Sequence, residues 1–229
     1  MVTYKELRTR AWNSLSSNGK YLNALVAMLI VSAISGVIGF VSVLEEPIIL
    51  LSSQLTEKAT VFALIFAVFA LVLSVIVLVF CFFVLYPLNI GTARFFIRNT
   101  YEKPDVAELF FGFKNNYSGN VKTMFLVFLK TLLWTLLFII PGIIKSYEYA
   151  IIPYILAENP EISSKEAFRR AKELMTGRKA DLFLFSLSYI GWELLGIMVC
   201  CGIGSFFVTP YINAGLAEFY REISTPHFD

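Results

Sequence analysis

The chain has 229 residues, 57% of them apolar and 16% charged, with a formal net charge of +2. Soluble domains carry about a quarter charged residues and seldom exceed half apolar, so this composition points to a chain that buries most of its length in lipid. It leaves no concentrated basic face for nucleic acid. The one histidine, His227, stands in a polar tail, which excludes most metal sites and catalytic triads.

In chain order, Tyr4, Leu7, Ala11 and Leu15 recur at helical spacing, with Trp12 beside them and charges opposite. This predicts an interfacial amphipathic helix over residues 4–15 rather than a cleaved signal. A first span follows over 21–44, where Ser32, Ser35, Gly36 and Gly39 form a small-residue stripe suited to close helix packing. It ends at Glu45, Glu46 and Pro47. A second span, 60–90, is longer than a bilayer requires and is expected either to tilt or to bend near Pro87.

The polar segment from Gly91 to Lys122 contains a second interfacial helix, over 105–114, opened by Pro104 and Asp105. A third span, 123–140, stops at Pro141 and Gly142. The fourth, 142–157, is so short that 123–157 reads either as two crossings or as one re-entrant hairpin. Ser163 and Glu166 then form a capping box and Gly177 a stop, predicting an amphipathic helix over 163–176. Its apolar face carries Phe168, Ala171, Leu174 and Met175; Arg169, Arg170, Lys172 and Glu173 lie opposite. An apolar face with a basic back suits the membrane surface. The last two spans cover 182–200 and 205–220, joined by a tight turn at Cys201 to Gly204. Cys81, Cys200 and Cys201 all fall in or beside apolar segments and read as packing residues.

Lys and Arg number four in residues 1–20, five in 91–122, six in 158–181 and one in 221–229, against one in 45–59. The positive-inside rule therefore places both termini at the cytoplasmic side of a cell membrane. The expected fold is all-α, a polytopic transmembrane bundle of about six spans with short interfacial helices, and its first partner is the lipid bilayer.

An internal echo links Asn89, Gly91, Ala93, Arg94, Phe95 and Phe96 with Asn213, Gly215, Ala217, Glu218, Phe219 and Tyr220. Each stretch ends a span and follows a proline, Pro87 or Pro210, as weak parallel repeats do. The echo sets Arg94 and Arg98 at positions equivalent to Glu218 and Glu222, so the two helix ends are expected to pair these charges.

Charges within spans are costly, and each is a functional candidate. Lys130 and Glu193 share a similar depth on two spans, and either lock two helices as an ion pair or face a hydrated cavity. Lys145 and Glu148 share a helix face near the outer boundary. Pro141 breaks the backbone where only a cavity or a neighbour can satisfy the freed groups. No metal set, cofactor motif or catalytic constellation accompanies these residues. The reading is a non-enzymatic membrane module acting in envelope physiology or through a protein partner at the cytoplasmic face. The alternative is a small transporter or lipid-handling protein with a polar cavity near Lys130, Pro141 and Glu193.

The run from Pro141 to Gly191 resembles a bacterial membrane family labelled domain of unknown function 975. So do the pairs Gly191-Trp192, Pro210-Tyr211 and Phe219-Tyr220, the Gly202-x-Gly204 turn, and the Asn89, Gly91, Ala93, Arg94, Phe95 signature. A looser similarity extends to the membrane portions of some glycerophosphodiester phosphodiesterases. The resemblance implies an integral membrane fold and no catalytic residue, because those phosphodiesterases carry catalysis on a separate soluble domain.

Overall fold

The computed structural model describes residues 4–17, 19–35, 60–199 and 203–225; the end of the first expected span, the loop after it and the turn at Cys201 lie outside these. Among the described residues the chain is helical throughout, with no strand. Helix α1 (Tyr4–Ser16) meets α2 (Lys20–Ser35) at 96°. Leu7, Ala11 and Leu15 are buried as their spacing predicts. Their cover is the chain itself: α1 packs on the last helix, α11 (Ile203–Ser224), where the Tyr211 hydroxyl donates to the Arg8 carbonyl at 3.1 Å. A face that meets a matching helix is taken out of contact with headgroups.

Helix α3 (Thr60–Phe80) runs through a π-helical turn (Cys81–Leu85) into α4 (Tyr86–Asn99), one rod that continues well past the expected end of the second span. The irregularity expected near Pro87 takes the form of this widened turn. Proline has no N–H, so the Phe83 carbonyl four residues back loses its intrahelical donor. The Tyr117 hydroxyl supplies the missing hydrogen bond at 2.8 Å. Along the rod the environment changes. Val68, Phe69, Val72, Val75 and Ile76 are exposed, as lipid-facing residues are, whereas Leu88, Ile90, Ala93, Phe95, Phe96 and Ile97 are buried.

Asp105 caps a 3-10 turn (Val106–Phe110) that leads into α5 (Phe111–Lys114). Next come α6 (Tyr117–Leu137) and α7 (Ile139–Tyr149), which form a hairpin. Its break lies at Phe138, in extended conformation, and not at Pro141. Pro141 falls in the first turn of α7, where its missing N–H costs nothing. Gly142 sets the spacing of the hairpin, because a Cβ there would stand 2.6 Å from the Thr135 Cα.

Helix α8 (Ile152–Glu158) is buried from Ile152 to Ala157 and packs on α4. Helix α9 (Ser164–Met175) buries Ala167, Ala171 and Met175 completely, and α10 (Lys179–Val199) leads back to α11. The core thus lies where α1, α4, α8, α9 and the ends of α10 and α11 meet. Both copies of the sequence echo are packed into it. Ala93, Phe95 and Phe96 are buried on α4, as are Ala217, Phe219 and Tyr220 on α11. A Cβ at Gly91 would meet the Leu109 backbone, and one at Gly215 would meet the Phe185 ring and the Tyr189 hydroxyl. The echoed residues are those at which these two helix ends approach their neighbours.

By length and composition, the segments Leu71–Asn99 and Tyr117–Leu137 can cross a membrane, and the bent α1–α2 pair makes up to three.

Candidate functional site

Four helices converge on one buried carboxylate. Glu148, near the end of α7, is 2% exposed. Lys145, one turn earlier on the same helix, donates to it at 2.8 Å, and Lys179 at the start of α10 donates to its other oxygen. Above this trio, the Lys130 ammonium of α6 sits 3.5 Å from the centroid of the Phe168 ring of α9. Phe168 in turn meets Tyr149 edge-on, at a centroid distance of 5.1 Å. Tyr147 packs against Phe183 of α10 in the same way at 5.8 Å.

The arrangement is an electrostatic clasp. A carboxylate removed from water needs its charge compensated and its lone pairs filled, and the two lysines do both. The Phe168 face gives Lys130 a favourable quadrupole, worth about 0.5–2 kcal/mol. Counting Lys130, Lys145 and Lys179 against Glu148, the cluster keeps a surplus of two positive charges. Among the described residues, no three His, Cys, Asp or Glu side chains come together as metal ligands.

The expected site residues are therefore partly assembled. Lys130, Lys145 and Glu148 lie in one neighbourhood, connected through Phe168 and Tyr149. The side chain of Glu193 lies outside the described part of the chain, so its pairing with Lys130 is not seen; Lys130 has Phe168 as its neighbour. Lys145 and Glu148 do pair. Lys179, one of the basic residues expected at the cytoplasmic side, touches the same carboxylate. Sequence reasoning missed Lys179 as a site residue. Its contact spans 31 residues, and no local spacing signals that.

The charges at the two helix ends also find partners other than those expected. Arg94 donates to the Ala157 carbonyl at 2.9 Å, capping the end of α8, and lies 3.5 Å from Glu108. Arg98 pairs with Glu108 at 2.9 Å, Glu222 with Arg10 at 2.9 Å, and Glu218 with Arg221 at 3.6 Å. The helix ends pack together, but the 3-10 turn and α1 approach from either side and take the charges.

The capping box at α9 is half formed. The Glu166 N–H donates to the Ser163 hydroxyl at 3.3 Å, while the Glu166 carboxylate turns forward to Arg169, at 2.7 Å, and to Arg170. Apart from the clasp, a groove of about 500 Å³ runs between the π-helical turn and the start of α6, lined by Val79, Phe82, Phe83, Val121 and Phe125 with Lys122 at its rim.

Fold and site together describe an all-helical protein in which apolar helices of membrane-crossing length are joined to a packed helical core by an ion-paired clasp. The chain belongs to the DUF975 family, described as protein of unknown function, whose model matches residues 113–227, from α5 to beyond α11. No curated protein and no solved structure matches it, and the looser phosphodiesterase similarity gains no support.

Proposed function

We propose that this chain is a non-enzymatic module of a bacterial cytoplasmic membrane that acts in envelope physiology through a protein docking on its cytoplasmic helices. The observation that carries this reading is the seating of α9. Its apolar side is closed off by the chain itself, with Ala167, Ala171 and Met175 fully buried, and Phe168 is clamped between Lys130 and Tyr149. What remains outward is a fixed charged face made of Lys165, Arg169, Arg170, Lys172 and Glu173. A rigid polar surface of this kind loses little entropy when a partner binds.

Membrane crossings over α2, α3, α10 and α11, with both termini cytoplasmic, agree with the distribution of Lys and Arg. This sidedness holds whether the α6–α7 hairpin crosses or not. The seating of Lys130 argues against a hydrated transport path there, because its ammonium lies against the Phe168 ring. The apolar groove between the π-helical turn and α6 favours lipid handling instead.

Photo-crosslinking in cells, with a reactive side chain placed at Lys172, tests the proposal. A discrete protein adduct, lost when Lys165 and Lys172 are both changed to Glu, is the expected result. Adducts to lipid alone would overturn it.

A further inference from the structure

The contact between Glu148 and Lys179 aligns two helices and so serves as a ruler. From Lys179, α10 extends for 21 residues, about 31 Å, enough to traverse a hydrocarbon core of about 30 Å. From Glu148, α7 reaches back only to Ile139, about 14 Å at 1.5 Å per residue. The other arm gives the same answer. Lys130 is held against α9, whose outer face is charged, and α6 continues beyond it only to Leu137, about 10 Å. Length and composition alone would let α6 cross, but much of that length lies alongside α9, where Thr123 also hydrogen-bonds Ser164 at 2.8 Å. Any tilt of the hairpin reduces its depth further.

Beyond the clasp the hairpin is uncharged and largely apolar. Residues 131–144 include no charged side chain, and the tip stands clear of the protein, with Leu136 82% and Ile140 72% exposed. A polar loop is what a helix pair would show had it emerged into water on the far side. The base carries Lys130, Lys145 and Lys179, a surplus of two positive charges over Glu148.

We infer that α6–α7 is a re-entrant wedge that enters only the cytoplasmic leaflet, stopped at its base by a basic collar that meets anionic phospholipid headgroups. The inference rests on the membrane-embedded reading above. A wedge confined to one leaflet displaces lipid on that side alone, and the clasp at its base joins it to α9. The displayed cytoplasmic face is thereby linked to lipid packing in the adjoining leaflet.

The test uses the full chain, with Cys81, Cys200 and Cys201 replaced by Ser, in vesicles of phosphatidylethanolamine and phosphatidylglycerol. A fluorophore is placed at Phe138→Cys or Ile140→Cys on the tip, and at Val72→Cys on α3 as a reference. Quenching of the tip should be strongest with lipids labelled near the bilayer centre. A membrane-impermeant maleimide should reach the tip from neither face. Labelling of either tip position from the outer face would overturn the wedge, as would a tip unquenched by lipid while Val72→Cys is quenched, which signifies cover by protein such as a second copy. If Val72→Cys is itself unquenched, the membrane-embedded reading fails, and the wedge with it.

Discussion

The Tyr117 hydroxyl donates to the Phe83 carbonyl at 2.8 Å, and Pro87, four residues beyond Phe83, is the reason that carbonyl is free. In a lipid environment a backbone acceptor without a partner is costly, so the start of α6 is fastened to the long α3–α4 rod at its irregular turn. Tyr117→Phe should lower stability by about 1 kcal/mol, the usual net worth of such a bond. Pro87→Ala restores a backbone donor, so the same tyrosine change should cost less in that background. Thermal unfolding of the four proteins of this cycle in detergent checks the coupling; equal costs would separate Tyr117 from the proline.

The clasp predicts strongly non-additive behaviour. With Lys145→Met or Lys179→Met alone, Glu148 retains one partner and the loss is expected to be about 1 kcal/mol. With both replaced, a buried carboxylate is left uncompensated, and the loss should rise to about 3–5 kcal/mol. Adding Glu148→Leu to the double variant should recover most of it, since an apolar trio of similar volume needs no compensation. Denaturation in lipid–detergent mixtures measures the wild type and the four variants. A simple sum of the single losses would show that the lysines act independently.

Glu166 is held at a pKa of about 2, first by its hydrogen bond to Arg169 and then by Arg170, below the ordinary value of 4.5. A carboxylate whose pKa falls on folding contributes its stability above the unfolded value and loses it as pH drops through the folded one. Helix α9 should therefore loosen progressively between about pH 4.5 and 2. Glu166→Gln should remove this group's share of the acid response. Amide exchange of α9 across that range is the measurement, and an unchanged pH response in the variant would count against the assignment.

Gly142→Ala tests how the hairpin is closed. The added methyl would meet the Thr135 Oγ1 at 2.4 Å as well as its Cα. Overpacking of this kind costs about 1–3 kcal/mol. Thr135→Ala should recover only part of the loss, because the backbone contact persists. Complete recovery would mean that the hydroxyl alone sets the spacing.

Much of the helical layout is legible in the residues. The helix expected over 163–176 appears as Ser164–Met175, and the one over 4–15 as Tyr4–Ser16. Their apolar stripes repeat at the helical period, and Ser163 and Asp105 cap where their side chains allow. What covers those stripes was not legible. A stripe such as Leu7, Ala11 and Leu15 is equally content against lipid or against another helix, and periodicity cannot separate two apolar solvents. Proline misled by position: Pro141 suggested the hairpin break, yet it is the first turn of a helix that tolerates proline, so the chain breaks three residues earlier.

The sequence by itself determined that the chain is helical, that its apolar helices are long enough for a membrane, and which of its charges lie within apolar stretches, because hydropathy and helical period are local properties. Only the tertiary structure decided which groups the charges meet. Glu148 meets Lys179, Lys130 meets Phe168, and Arg94 caps α8. Each of these contacts joins separate helices, and which charges meet depends on how the helices pack, a relation that no spacing along the chain encodes.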